Sequence, residues 1–200
     1  VAVLTLFDPN VTPKLRQEFM DELLTMSGLC HPNIVRFYGA STRPPRLLFV
    51  MELCRCSLFD VLYKPNEGGA RGVSWTATDR ARTCLEIASA MDYLHTRTPC
   101  VMHRDLKSPN VLIACGDDDG GGGVRLCDFG LARARGPGAG TPHYQAPELL
   151  RGRNGDSFTK AVDVYAFAIV MYEIYARGIP FMGCSMDELR LRVCRGDRPD

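Results

Sequence analysis

HRDLKSPN, residues 103–110, packs an imidazole, two cations, a carboxylate and a carboxamide between apolar segments. An Asp–Lys pair taken alone is an ordinary solvated loop pair. Its surroundings give it more meaning. DFG stands at 128–130, eighteen residues past Asn110 and directly after the run VRLC, and APE closes at Glu148, eighteen past Gly130. Three polar motifs in fixed order, each on a predicted loop, are hard to obtain by chance.

Upstream of the octapeptide, the opening VAVLTLFD (1–8) alternates well enough for a half-buried strand. Such a strand needs sheet neighbours. Thr12 with Pro13 reads as an N-cap and first helical position, and Gly28 as the stop after Ser27. This helix carries Phe19, Leu23 and Met26 on one stripe, with Glu22 on the same side. IVRFYGA (34–40) and RLLFVMEL (46–53) read as strands about the STRPP turn. From Ser57 the pattern turns helical: SLFDVLY (57–63) is a short helix, and Thr76-x-x-Asp79 is a capping box before a long one. Its apolar positions 77, 81, 84, 85, 88, 91 and 94 keep helical spacing to about His95. VLIA (111–114) and VRLCDFG (124–130) are split by CGDDDGGGG, a flexible solvated tip. AVDVYAFAIVMYEIYA (161–176) is too short to span a membrane and holds Asp163 and Glu173, so it reads as a helix buried on nearly all sides.

Two hundred residues at 46% hydrophobic and 24% charged are ordinary for a globular chain. A net charge of +1 gives no electrostatic case for nucleic acid or an anionic membrane. Nine scattered cysteines, an odd count, read as reduced thiols of a cytoplasmic protein. Cys54-x-Cys56 lacks a second Cys/His pair at ligand spacing, which argues against zinc.

The set HRD-x-K-x-x-N, DFG and APE resembles the protein kinase catalytic domain. HPNIVRFYG (31–39), SLFDVL (57–62), YLH (93–95), GTPHYQAPE (140–148) and DVYAFAIVMYEI (163–174) fit the same pattern. Together they are similar to the tyrosine-kinase-like group, of the Raf-like and mixed-lineage type. The resemblance implies an α+β, two-lobed fold: a partial β-rich N-lobe over 1–53 and a mainly helical C-lobe over 54–200. The Gly-rich loop is expected before Val1, and the last helices after Asp200. It implies ATP and Mg²⁺ as cofactors and a protein substrate, with no nucleic acid and no membrane segment. Lys107 and the GTPHY stretch point to a Ser/Thr kinase.

Phosphoryl transfer needs alignment and neutralisation of spreading charge more than covalent help. The resemblance assigns Asp105 to the substrate hydroxyl proton, Lys107 to the transferring phosphoryl, and Asn110 and Asp128 to the metal, as hard oxygen donors. It implies that Ala2 and Leu112 sandwich the adenine. Met51 would be the gatekeeper, and the backbone of Glu52 and Cys54 would meet the base edge. His103, Phe129, Met26 and Phe37 correspond to the apolar stack joining the lobes, and Asp163 to the carboxylate holding the HRD backbone. That last role gives a charge in so apolar a segment its reason.

One position departs from the pattern. VAVLTL lies where the family has V-A-V-K-x-L, so Leu4 stands at the phosphate-binding Lys, and Glu22 is the carboxylate that Lys would pair. An unpaired buried carboxylate is costly. The helix is therefore expected to swing outward, or Glu22 to take another cation, with Arg133 the best candidate. Leu4 is also the evidence for a rival reading, a pseudokinase scaffold or nucleotide-binding regulatory module. LARARGPGAG (131–140) contains no Ser, Thr or Tyr, so activity is expected not to depend on phosphorylation of that loop. Thr141 is expected to bond the catalytic loop. A chain of this extent is expected to expose sheet edge and apolar surface.

Overall fold

The computed structural model describes residues 1–7, 12–43, 46–71, 75–116, 122–130, 132, 140–152 and 159–199. The tip of the acidic insertion, most of the stretch after DFG including Arg133, and the prolines of the STRPP turn lie outside the described residues.

β1 (Ala2–Phe7), β2 (Phe37–Ser41) and β3 (Arg46–Met51) form an antiparallel sheet in the order β1-β3-β2. Its register sets Ala2 opposite Met51 and Leu4 opposite Phe49. Helix α1 (Pro13–Ser27) packs on this sheet, with the Phe19 and Phe49 rings stacked at 4.3 Å. It starts as its sequence dictates: the Thr12 hydroxyl accepts from the Leu15 amide, and Pro13 occupies the first turn, where its missing N–H is no loss. Among the described residues the outer edge of β1 has no partner, and Val3 and Leu4 are exposed, as expected.

A second sheet, β4 (Cys54–Ser57), β5 (Val111–Ala114) and β6 (Val124–Leu126), runs antiparallel in that order. β4 is absent from the sequence reading. CRCS has little intrinsic strand signal and is held by register, with Cys54 opposite Ala114 and Ser57 opposite Leu112. IVRFYGA is likewise strand only from Phe37. Ile34 instead makes a parallel bridge to Leu126, and the Val35 amide donates to the Leu126 carbonyl at 2.9 Å, tying the segment after α1 to the second sheet.

The remainder is helical: α2 (Leu58–Tyr63), α3 (Ala77–Thr96), α4 (Pro147–Leu150), α5 (Ala161–Ala176) and α6 (Met186–Arg195). The Thr76–Asp79 capping box forms in full. The buried stripe of α3 differs from the predicted one. Thr83, Ile87, Ala90, Met91 and Leu94 face inward, while Leu85 is 71% exposed. The winning face is the one that meets α5 and β6, and a Thr serves there as well as a Leu would. α5 is also less enclosed than its composition suggests. Val162, Asp163, Ala166, Ile169, Val170, Glu173 and Ile174 are buried, but Val164 and Tyr175 face solvent among the described residues. One core runs through both parts, from Met26 and Ile34 past Phe129 to Leu94 and Ile174.

Candidate active site

The loop before β5 takes its shape from α5. Asp163, 1% exposed, accepts from the His103 amide at 2.9 Å, the Arg104 amide at 2.8 Å and His95 Nε2 at 2.8 Å. Burial alone would raise its pKa, but these donors hold it below the usual carboxylate value. The clamp fixes Arg104 at φ 67°, a left-handed conformation that a side chain disfavours. Asp163→Ala orphans two buried amides and is expected to cost about 3–5 kcal/mol, read as a fall in the denaturant midpoint. A loss under about 1 kcal/mol would show that the loop holds itself.

Held this way, the loop presents its polar groups together. Asp105 Oδ2 accepts from Lys107 Nζ at 2.7 Å, and Asp105 Oδ1 accepts from the Thr141 amide at 3.0 Å and hydroxyl at 3.1 Å. Lys107 Nζ also donates to Thr141 Oγ1 at 2.8 Å, so Thr141 bonds the catalytic loop as expected. Asn110 ends the single turn Ser108–Asn110. Its Nδ2 donates to the Asp105 carbonyl at 2.9 Å, and lies 3.3 Å from Asp105 Oδ2 and 3.5 Å from Asp128 Oδ2. Three separately coded polar residues thus converge through one carboxamide. Asp128, at φ 65°, is exposed and makes no ion pair among the described residues. An unneutralised carboxylate beside a carboxamide is a donor set that suits a hard divalent cation.

Beyond Asn110 opens a cleft of about 540 Å³ between the two sheets. Ala2, Met51 and Leu112 line it with Glu52 and Cys54 on one side, and Asn110, Asp128, Leu4 and Glu22 on the other. The residues expected to meet the base, with Glu22, Asn110 and Asp128, therefore border one space, while Asp105 and Lys107 do not line it. The Glu52 amide donates to the Arg36 carbonyl at 2.8 Å, so what Glu52 can offer a base is its own carbonyl. At the floor, the His103 and Phe129 rings lie 5.0 Å apart, and Met26 and Phe37 join Phe129 in the core cluster.

The family model described as "Protein kinase domain" matches residues 1–196. The chain belongs to this family. Within it, the chain is 38% identical to "Probable serine/threonine-protein kinase SIS8" of Arabidopsis thaliana over 90% of its length. It is 39% identical to "Serine/threonine-protein kinase CTR1" of the same organism over 87%. It is 33% identical to "Probable serine/threonine-protein kinase drkA" of Dictyostelium discoideum over all of it. This kinase domain spans only 17%, 21% and 30% of those proteins respectively.

Of the two outcomes expected for Glu22, the α1 helix has not swung outward, and Glu22 makes no ion pair among the described residues; Arg133, the expected cation, lies outside them. Instead Glu22 is half-buried toward DFG. Its Oε2 lies 3.5 Å, and Asp128 Oδ1 3.4 Å, from the point a Cβ on Gly130 would occupy. Protonation offers relief where no cation among the described residues does: burial first, then the Asp128 charge, pushes the Glu22 pKa up to about 7. The folded state therefore keeps a proton that the unfolded chain has already released at lower pH. Stability from this group is full below the ordinary carboxylate range and is lost as pH rises toward about 7. Melting midpoints measured from pH 5 to 8 are expected to fall more steeply for wild type than for Glu22→Gln. Parallel curves would contradict this.

Two features of the kinase site escaped the sequence reading. Glu173, buried in α5, accepts at Oε1 from Ser108 Oγ at 2.8 Å, Tyr144 OH at 3.0 Å and Tyr63 OH at 3.1 Å. It thereby joins the catalytic loop, the segment before APE and α2. The Tyr144 hydroxyl is thus engaged inside the protein. The second is Glu52, whose side chain turns away from the cleft to Arg125 Nε at 3.0 Å. A charge inside an apolar helix was the available signal for Glu173; for the Glu52–Arg125 pair, 73 residues apart, there was none.

Proposed function

We propose that this chain is part of an ATP- and Mg²⁺-dependent protein serine/threonine kinase that passes the γ-phosphate to a protein hydroxyl. The relatives' printed class supports this, and the hydrogen-bonded convergence of Asp105, Lys107, Asn110 and Asp128 carries it. We take residues 1–53 as N-lobe and 54–200 as C-lobe of one catalytic domain. In this reading Asp105 orients the substrate hydroxyl and accepts its proton as the oxygen attacks. Its Oδ1 is held by Thr141, which fixes the direction in which Oδ2 faces. Lys107, between Asp105 and Thr141, sets a positive charge where the transferring group gathers negative charge. Asp128 and Asn110 would hold the divalent ion, which supplies neutralisation of the phosphates. Ala2, Met51 and Leu112 enclose the base, and the Glu52 and Cys54 backbone reads its edge.

Nine free cysteines support a cytoplasmic setting, and among the described residues no helix is long and apolar enough to cross a membrane. Leu4 favours a second reading, a nucleotide-binding pseudokinase. Transfer of labelled γ-phosphate to casein by the intact protein, with magnesium, separates the two. Incorporation that stops when magnesium is chelated supports the enzyme. Nucleotide binding without incorporation supports the pseudokinase.

A further inference from the structure

A second cleft, of about 520 Å³, opens on the reverse of the segment that joins the two sheets. This volume lies within the range of small-molecule sites. Val35 and Glu52 border both clefts, so a wall one residue thick divides them. The floor is preformed: Ile34 and Val35 are buried and tied to Leu126, and Phe37 packs into the core behind them.

The charges at its rim do not balance. Arg125 gives Nε to Glu52 and Nη1 to the Val124 carbonyl, and its Nη2 has no acceptor among the described residues. The Arg36 guanidinium also has no acceptor among the described residues. It lies 5.9 Å over the Tyr38 ring, which is itself half exposed. His31 adds no charge, since burial holds its pKa below the usual value, Nδ1 accepts from the Asn33 amide and Nε2 lies 3.4 Å from Ser89 Oγ. Two guanidiniums and a single carboxylate therefore line the cleft, above an apolar floor with an exposed aromatic edge.

We propose that this rear cleft is a binding site for a small aromatic carboxylate. Its ring rests against Tyr38 over the Ile34–Val35 floor, and its carboxylate bridges the free N–H groups of Arg36 and Arg125. A guanidinium fork matches a carboxylate in geometry and charge, and the aromatic body fills volume that water would otherwise occupy. The site is physically joined to the nucleotide-side cleft through Glu52. That residue's carboxylate accepts from the Arg36 amide at 3.2 Å and its own amide donates to the Arg36 carbonyl.

The test is calorimetric titration of 2-naphthoate into the intact protein, a probe that fits the volume and carries one negative charge. A dissociation constant on the order of 0.1–1 mM is expected for a ligand of this size. Arg36→Gln and Arg125→Gln should each weaken it about tenfold, with unchanged melting midpoints as the check on folding. The neutral isostere 2-naphthamide should bind wild type about tenfold more weakly. Excess ATP should not displace the probe, whether or not the protein transfers phosphate. Equal affinity for the acid and the amide overturns the proposal, as does displacement by ATP, unchanged binding in both arginine variants, or no heat at millimolar probe.

Discussion

Asp105→Asn is expected to lower γ-phosphate transfer by about two to four orders of magnitude while leaving nucleotide affinity within about twofold. The substitution keeps the shape of the side chain and removes its charge. Asp105 Oδ2 faces Lys107 Nζ at 2.7 Å and Oδ1 faces Thr141, so the carboxylate is oriented before any substrate arrives. An asparagine can retain the Thr141 contacts through its carbonyl oxygen, but it cannot take a proton from an attacking hydroxyl. The expected loss therefore falls on kcat rather than KM. Rates and nucleotide affinity of the purified variant decide the matter. Unchanged transfer would remove Asp105 from the mechanism and with it the reading of the whole loop.

Leu4→Lys is expected to act in the opposite direction, raising kcat/KM about ten- to a hundredfold, the worth of about 1.5–3 kcal/mol for a charged hydrogen bond to phosphate. Leu4 lies opposite Phe49 in β1, is 58% exposed and borders the same cleft as Glu22 and Asp128. A lysine there reaches the side of the cavity where Glu22 and Asp128 lie, neither in an ion pair among the described residues. It should pair Glu22 and draw its pKa down from about 7, so the pH-dependent loss of stability should shrink in the same variant. Gains in both rate and stability at pH 8 would identify Leu4 as the position of a missing charge. A rate unchanged by the substitution would mean that phosphate neutralisation is already supplied elsewhere.

The sequence was most informative where chemistry constrains residue type and spacing. HRDLKSPN, DFG and Asp163 could be read because no apolar core explains so many polar groups between hydrophobic runs, and the Asn110 carboxamide lies within 3.5 Å of both Asp105 and Asp128. Helix starts were equally legible: Thr12 and Thr76 cap by a local bond that needs no tertiary partner. What escaped depends on partners far along the chain. β4 is a strand because β5 pairs with it, and the inward face of α3 is chosen by α5 and β6 rather than by its most apolar residues. Glu22 borders the cleft, but whether a carboxylate there finds a cation or a proton is a property of the assembled space.

Arg104 and Asp128 carry a final consequence. Both bear side chains, yet both hold a backbone conformation that costs an ordinary L-residue roughly 1–2 kcal/mol. Glycine would adopt it freely, but glycine at 128 would have no carboxylate to offer. The rest of the chain therefore sustains two spring-loaded joints, one on each side of the reacting groups. Asp163 restrains the first, and the Asn110 carbonyl, accepting from the Cys127 amide, restrains the approach to the second. Slackening either restraint lets a joint recoil and swing its carboxylate away, so catalytic competence is mechanically more fragile than the fold that bears it.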